Sequence, residues 1–151
     1  MYSKHHAAVS LVVGLALVAV LAPVTVGGVG VPSAALVLYA VAVGVFIDLD
    51  HFVIARATTG DWRALRFCLR RPVAAFTDQD LIFDSGDVGA LSRLLSHLLL
   101  SGLFVVALAV ASVPLAVLTG VVLYVHVVTD VWWDLDRYHR GDAVAVGSRR
   151  D

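Results

Sequence analysis

Glutamate is missing from this 151-residue chain, lysine and cysteine occur once each (Lys4 and Cys68), and charged residues of every kind make up only 15%. Each shortage removes a class of answers. One cysteine allows no internal disulfide, and without a CxxC or a Cys/His pair at zinc-finger spacing, any metal site must be built from His and Asp. A formal net charge of −1 supplies no basic field for nucleic acid. There is no internal repeat and no low-complexity tract. What is abundant is apolar: 60% of the residues are hydrophobic and the mean hydropathy is +0.89. A soluble domain has about 45–50% apolar and ~25% charged residues. The excess must face lipid, and the expected class is an all-α, polytopic membrane protein.

Four apolar runs carry that expectation. The first extends over about residues 7–26, is interrupted late by Pro23, and dissolves into the uncharged turn from Gly27 to Pro32. The second covers about 33–54. A polar stretch, 55–89, separates it from the third at about 90–112. Pro114 opens the fourth, which ends at about 133 on Trp132 and Trp133, side chains suited to a membrane interface. Each run is close to the ~20 residues that a helix needs to cross ~30 Å of hydrocarbon. The first is too long for the apolar core of a secretory signal and lacks a small-residue cleavage pattern, so a retained helix is expected. The whole chain reads as a single membrane domain of four helices in a bundle, with residues 134–151 as a tail.

The eleven basic residues set a direction. Lys4, Arg56, Arg63, Arg66, Arg70, Arg71, Arg93, Arg137, Arg140, Arg149 and Arg150 all fall at the N-terminus, between 55 and 93, or in the C-terminal tail. The two short hairpin turns carry none. By the positive-inside rule both termini and the middle loop belong in the cytoplasm of a multi-pass cell-membrane protein.

The middle loop carries a pattern of its own. Asp61 can cap a short helix in which Trp62, Leu65 and Leu69 recur at helical spacing, Arg63, Arg66 and Arg70 line an adjoining face, and Pro72 gives a stop. This predicts a short interfacial helix on anionic headgroups between spans two and three; the competing reading is a basic loop that only sets topology. From Thr77 to Asp87 the sequence turns acidic, which suggests a mobile loop over the cytoplasmic face.

Ionisable residues occur at one end only of each span. His5 and His6 open the first, Asp48, Asp50 and His51 close the second, Arg93 and His97 lie early in the third, and His126, Asp130 and Asp134 late in the fourth. At ~1.5 Å per residue, His6, Asp48, His97, His126 and Asp130 all lie roughly 18–25 Å from the outer turns. Alternating helix directions therefore bring them to one level, just inside the cytoplasmic boundary. Asp48 and His51 share a helix face at i, i+3, and so do His126 and Asp130 at i, i+4; Asp50 points away from Asp48. For His5, Asp136 and His139 at helix ends, a solvated interface role is the simpler reading. Deeper groups are harder to explain that way, because a charge inside the membrane costs about 2.5–3.5 kcal/mol even on the lenient insertion scale.

Neutral imidazoles combined with carboxylates suit Zn²⁺ or a similar divalent ion, whose charge offsets the cost of burying the acids. Two histidines facing each other could instead clasp a haem. The neighbouring aspartates argue against that, since axial ligation has no use for them.

The order of these pieces resembles a known family. An N-terminal His (HHAAVS, matching best at His6), D-x-D-H closing the second helix (IDLDHF), an Arg-preceded Ser-His on the third (SRLLSHLLLSG) and H-x-x-x-D on the fourth (VHVVTD) resemble the membrane-bound metal-dependent hydrolases typified by the LexA-regulated bacterial inner-membrane protein. The likeness covers nearly the whole chain. That family is distantly similar to the zinc-dependent phospholipase C and P1 nuclease group, which cleaves phosphoesters. The resemblance implies His6, Asp48, His51, His97, His126 and Asp130 as metal ligands, with Asp50 as a bridging ligand or catalytic general base. It departs from the family pattern H-R-x-x-T-H on the third helix, where Ser92 and Ser96 replace the first His and the Thr; one expected ligand is missing.

The expectation is a membrane-embedded, metal-dependent hydrolase with its site at the cytoplasmic face. Its substrate would be a phosphoester or phospholipid, with Arg93 pairing with phosphate. The alternative is a non-catalytic membrane protein that binds or senses a metal ion. Oligomeric state is not legible.

Overall fold

The computed structural model describes residues 3–73, 81–84 and 86–140, so the expectations for residues 77–80, Ser85 and the tail beyond Arg140 lie outside the described residues. Those described are overwhelmingly helical. The first helix, α1, runs Ser3–Val20, and Leu21 N–H still donates to Leu17 O to close its last turn. It stops short of the expected residue 26 because Pro23 has no N–H and disfavours helical backbone at the residue before it. The chain then forms a small hairpin, β1 (Thr25–Val26) against β2 (Val29–Gly30), antiparallel with Val26 opposite Val29. Gly27 and Gly28 join the strands with φ of 57° and 81°. Two consecutive left-handed residues make the tight turn that matches strand twist.

Helix α2 (Ser33–Phe46) passes through a 3-10 turn at Ile47–Leu49 into α3 (Asp50–Thr59). Gly60, at φ 83°, ends α3 in the left-handed conformation, with its N–H on Arg56 O. Helix α4 (Arg63–Arg70) follows with Trp62, not Asp61, at its N-cap; Asp61 Oδ1, one residue further back, accepts the Arg63 N–H at 2.6 Å. Helices α5 (Ala90–Ala111) and α6 (Val113–His139) are separated by Ser112 alone, whose backbone is extended. Pro114 fits the first turn of α6, where its missing N–H costs nothing. At ~1.5 Å per residue α6 is about 40 Å long, so it continues past Trp133 beyond any ~30 Å hydrocarbon layer.

Four helical stretches, Ser3–Val20, Ser33–Thr59, Ala90–Ala111 and Val113–His139, are long and apolar enough to cross a membrane, as in a multi-pass membrane protein. α1 packs on α2, α5 on α6, and both α1 and α2 reach α6. The apolar core is small, centred on Ala40, Leu118 and Val122. Around it the outward positions are large and apolar: Val12, Leu38, Leu99, Val106 and Val110 are each more than 60% exposed. In water this surface would drive aggregation; against lipid it is the solvent-facing side.

Small residues set the α1–α2 distance. A Cβ on Gly14 would lie 2.8 Å from the Ala40 Cβ, and one on Gly44 would collide with the Ser10 hydroxyl. Helices in lipid gain no hydrophobic drive toward each other, so close backbone approach at Gly, Ala and Ser supplies the attraction instead. One polar link crosses this apolar half: Thr119 Oγ1 donates to Leu115 O, and the Tyr39 hydroxyl lies 2.8 Å from Thr119 Oγ1.

Candidate metal centre

At the opposite end from the β-hairpin, the ionisable residues converge. α1 contributes His6, the 3-10 turn Asp48, α3 Asp50 and His51, α5 Arg93 and His97, and α6 His126, Asp130 and Asp134. His6, His97 and His126 are each 1% exposed. Two sets of ligand atoms lie within 4.8 Å of one another: His6, Asp48, His126 and Asp130 form one, and Asp48, His51 and His97 the other. Asp48 belongs to both. All six residues that the sequence nominated as metal ligands are thus brought together, and the buried His/Asp groups could hold a metal ion.

The imidazoles stand in two stacked pairs. His6 lies on His126 with ring centroids 3.8 Å apart, and His51 lies parallel to His97 at 5.3 Å. His6 Nε2 is 3.1 Å from Asp130 Oδ1. His126 Nδ1 is 2.9 Å from the Gly44 carbonyl oxygen, which can only accept, so Nδ1 carries the proton and donates. In the neutral ring that leaves a lone pair on Nε2. This atom is buried, has no hydrogen-bond partner among the described residues, and faces Asp48 Oδ1 at 3.4 Å and Asp130 Oδ2 at 3.6 Å.

His97 repeats the pattern. Its Nδ1 is 2.9 Å from Asp50 Oδ2 and its Nε2 is 3.2 Å from Asp48 Oδ1. A neutral ring has one N–H and can donate to one of these acids, not to both. The 3-10 turn makes this arrangement: tightening from ~100° to ~120° per residue narrows the angle between Asp48 and Asp50 from about 160° to about 120°. The two carboxylates then flank a single imidazole. Asp50, which the sequence places away from Asp48, stands on the far side of His97 from it; Asp48 holds the position common to the two sets.

Arg93 is the one guanidinium in the cluster, and carboxylates surround it: Nη2 donates to Asp134 Oδ2 at 2.5 Å and Nε lies 3.5 Å from Asp130 Oδ2. Against it stand Asp48, Asp50, Asp130 and Asp134, so the carboxylates of the cluster outnumber its guanidinium. The nitrogen and oxygen donors offered suit a divalent cation.

At the periphery His5 is half-buried against the Trp133 ring at 5.9 Å rather than solvated, while Asp136 pairs with Arg140 on the exposed end of α6 and His139 stands exposed, edge-on to Tyr138. Asp134, placed late in the fourth span by the sequence but given no role there, continues the i, i+4 stripe of His126 and Asp130 and receives Arg93. Two participants went unnoticed in the sequence. The Gly44 carbonyl left no signal, because every residue has one. Phe83, edge-on to His51 at 6.1 Å and 5.3 Å from Phe52, comes from the middle loop and could not be placed by periodicity. Its segment is tied to α4 by Arg63, 2.7 Å from Asp84 and 3.2 Å from Asp87; those carboxylates raise the guanidinium pKa further above its ordinary value. No protein-family model, curated protein or solved structure matches this chain.

Proposed function

We propose that this protein is a membrane-embedded, metal-dependent hydrolase of phosphoesters or phospholipids. Its four apolar helices would form a transmembrane bundle with both termini and α4 on the cytoplasmic side, where all eleven basic residues lie. α4 would rest on the membrane surface. One observation carries the functional reading: two sets of buried His and Asp donors, drawn from four helices, share Asp48. Adjacent metal positions joined by a carboxylate suit in-line displacement at phosphorus.

In this reading His6, His126 and Asp130 hold one divalent ion, His51 and His97 a second, and Asp48 lies between them. Such an ion, with Zn²⁺ the best match to the donors, supplies Lewis acidity toward water and a phosphoryl oxygen. The protein's own contribution is orientation. Gly44 O fixes the His126 tautomer and Asp50 that of His97, so that each Nε2 faces the centre. Asp50 Oδ1 has no hydrogen-bond partner among the described residues, which leaves it able to accept a proton from an attacking water. Arg93 would exchange Asp134 for a substrate phosphate oxygen.

A second reading draws on the same arginine. With Arg93 already satisfied by Asp134 and Asp130, and Ser92 where the family pattern has His, the centre fits a protein that binds or senses a metal without turnover. Metal analysis of protein purified without chelator, followed by a phosphoesterase panel that includes phospholipids, separates the two. A hydrolase turns over some phosphoester in a metal-dependent way; bound metal with no turnover across the panel leaves the sensor.

A further inference from the structure

Away from the His/Asp cluster, a cavity of about 490 Å³ opens on α4, lined by Arg63, Arg66, Phe67, Arg70 and Arg71. At ~100° per residue these five positions fall within about 140° of arc, while Leu65, Cys68 and Leu69 take the opposite side. The Arg71 guanidinium sits 5.7 Å over the Phe67 ring. Arg63 is already held by Asp84 and Asp87. Among the described residues no carboxylate forms an ion pair with Arg66, Arg70 or Arg71. Three exposed guanidinium groups thus share one wall of the cavity.

The neighbourhood says which anion. Arginine forks match phosphate oxygens two at a time, and an aromatic ring stacked under one of them holds its plane. Toward the two ends of α4 the surface is apolar and exposed: Val73 is 68% exposed and Trp62 41%. A soluble anion would gain nothing from these side chains, whereas a lipid brings acyl chains and glycerol for them to cover. We propose that this cavity binds the phosphate of an anionic phospholipid, with Arg66, Arg70 and Arg71 as its ligands and Trp62 and Val73 against the lipid body. The proposal rests on the placement of α4 at the membrane surface and is independent of the metal reading.

The test uses the full-length protein in nanodiscs of phosphatidylcholine with or without phosphatidylglycerol, and counts retained lipids by native mass spectrometry. The wild type should retain phosphatidylglycerol in preference to phosphatidylcholine. Arg66→Gln, Arg70→Gln and Arg71→Gln combined should reduce that preference by about tenfold or more, since each basic residue near an anionic surface contributes about 1 kcal/mol. Unchanged helix content by circular dichroism would show that this variant folds. Equal retention by wild type and variant would overturn the proposal. Full rescue by the corresponding triple Lys variant would overturn it too, because attraction by charge alone needs no pocket. Displacement of the lipid by millimolar-range glycerophosphate would assign the cavity to soluble phosphates instead. Cys68, the one cysteine of the chain and part of α4, takes a spin label whose exposure to lipid-soluble and water-soluble relaxants reports depth. Burial raises its thiol pKa, so labelling calls for alkaline buffer. A label far from the membrane surface would remove the premise; a label at the surface without lipid preference would remove the pocket alone.

Discussion

Asp48 Oδ1 lies 3.2 Å from His97 Nε2, and the same oxygen lies 3.4 Å from His126 Nε2. One carboxylate oxygen thus addresses imidazoles from two different helices, at the point where the two donor sets meet. Charge removal there should be felt by both. Asp48→Asn is expected to empty both metal positions, while His51→Gln should empty only the set it shares with His97. Elemental analysis of purified protein distinguishes them: the same residual metal in both variants would refute the shared position of Asp48.

Asp130 provides a paired comparison. It is 4% exposed and belongs to the first donor set, so Asp130→Asn should weaken metal binding by at least about tenfold, the low end of what losing even a supporting partner costs. Asp136→Asn, on the same helix but in an exposed pair with Arg140, should leave metal content unchanged. Equal content in wild type and both variants would take Asp130 out of the site.

Asp50→Asn should behave differently from either. Its carboxylate touches His97 Nδ1, so losing the charge leaves the ligand atoms in place but no longer enforces the tautomer. Affinity is expected to fall about 10–100-fold without loss of the site, as competition with a metal-indicator dye would measure. If Asp50 is also the proton acceptor, turnover in the Asn variant stays low even at saturating metal. Recovery of full turnover there would confine Asp50 to holding His97.

The apolar half makes its own prediction. Gly14→Ala places a Cβ 2.8 Å from that of Ala40, and overpacking of this kind costs about 1–3 kcal/mol. Adding Ala40→Gly should recover much of the loss, because it removes the atom in the way. Thermal unfolding in detergent of the single and double variants decides it; additive destabilisation would mean that the close approach is unimportant.

Topology can be read without purification. Reporter fusions in the hairpin turn at Gly28 and after Asp151 should report opposite sides of the membrane, with the C-terminal one cytoplasmic. A cytoplasmic signal at Gly28 would reverse the assignment.

The sequence made the helices legible because apolar runs of this length have one stable form in lipid. It was less informative about their ends. Hydropathy senses where lipid stops, but hydrogen bonding decides where a helix stops, so α6 continues to His139 and α1 yields to Pro23 earlier than its apolar run suggested. Depth and face were enough to bring His6, Asp48, His97, His126 and Asp130 to one level and to pair Asp48 with His51, since both depend only on helix pitch; the ligand set itself is what the family resemblance implied. The relation between Asp48 and Asp50 depends on the 3-10 turn, and nothing in Ile47–Leu49 announces it: no glycine or proline interrupts the run. That turn is set by what packs against it, which a single strand of sequence does not record.

The His6 to Asp130 contact joins residues 124 positions apart, and it divides the cluster between two hairpins that the ribosome delivers in turn. The first, α1 through α3, brings His6, Asp48, Asp50 and His51. Arg93 arrives only with the second, beside Asp130 and Asp134. The acids of the cluster are thus divided between the two hairpins, and neither donor set is complete until His97, His126 and Asp130 have packed against the earlier pair.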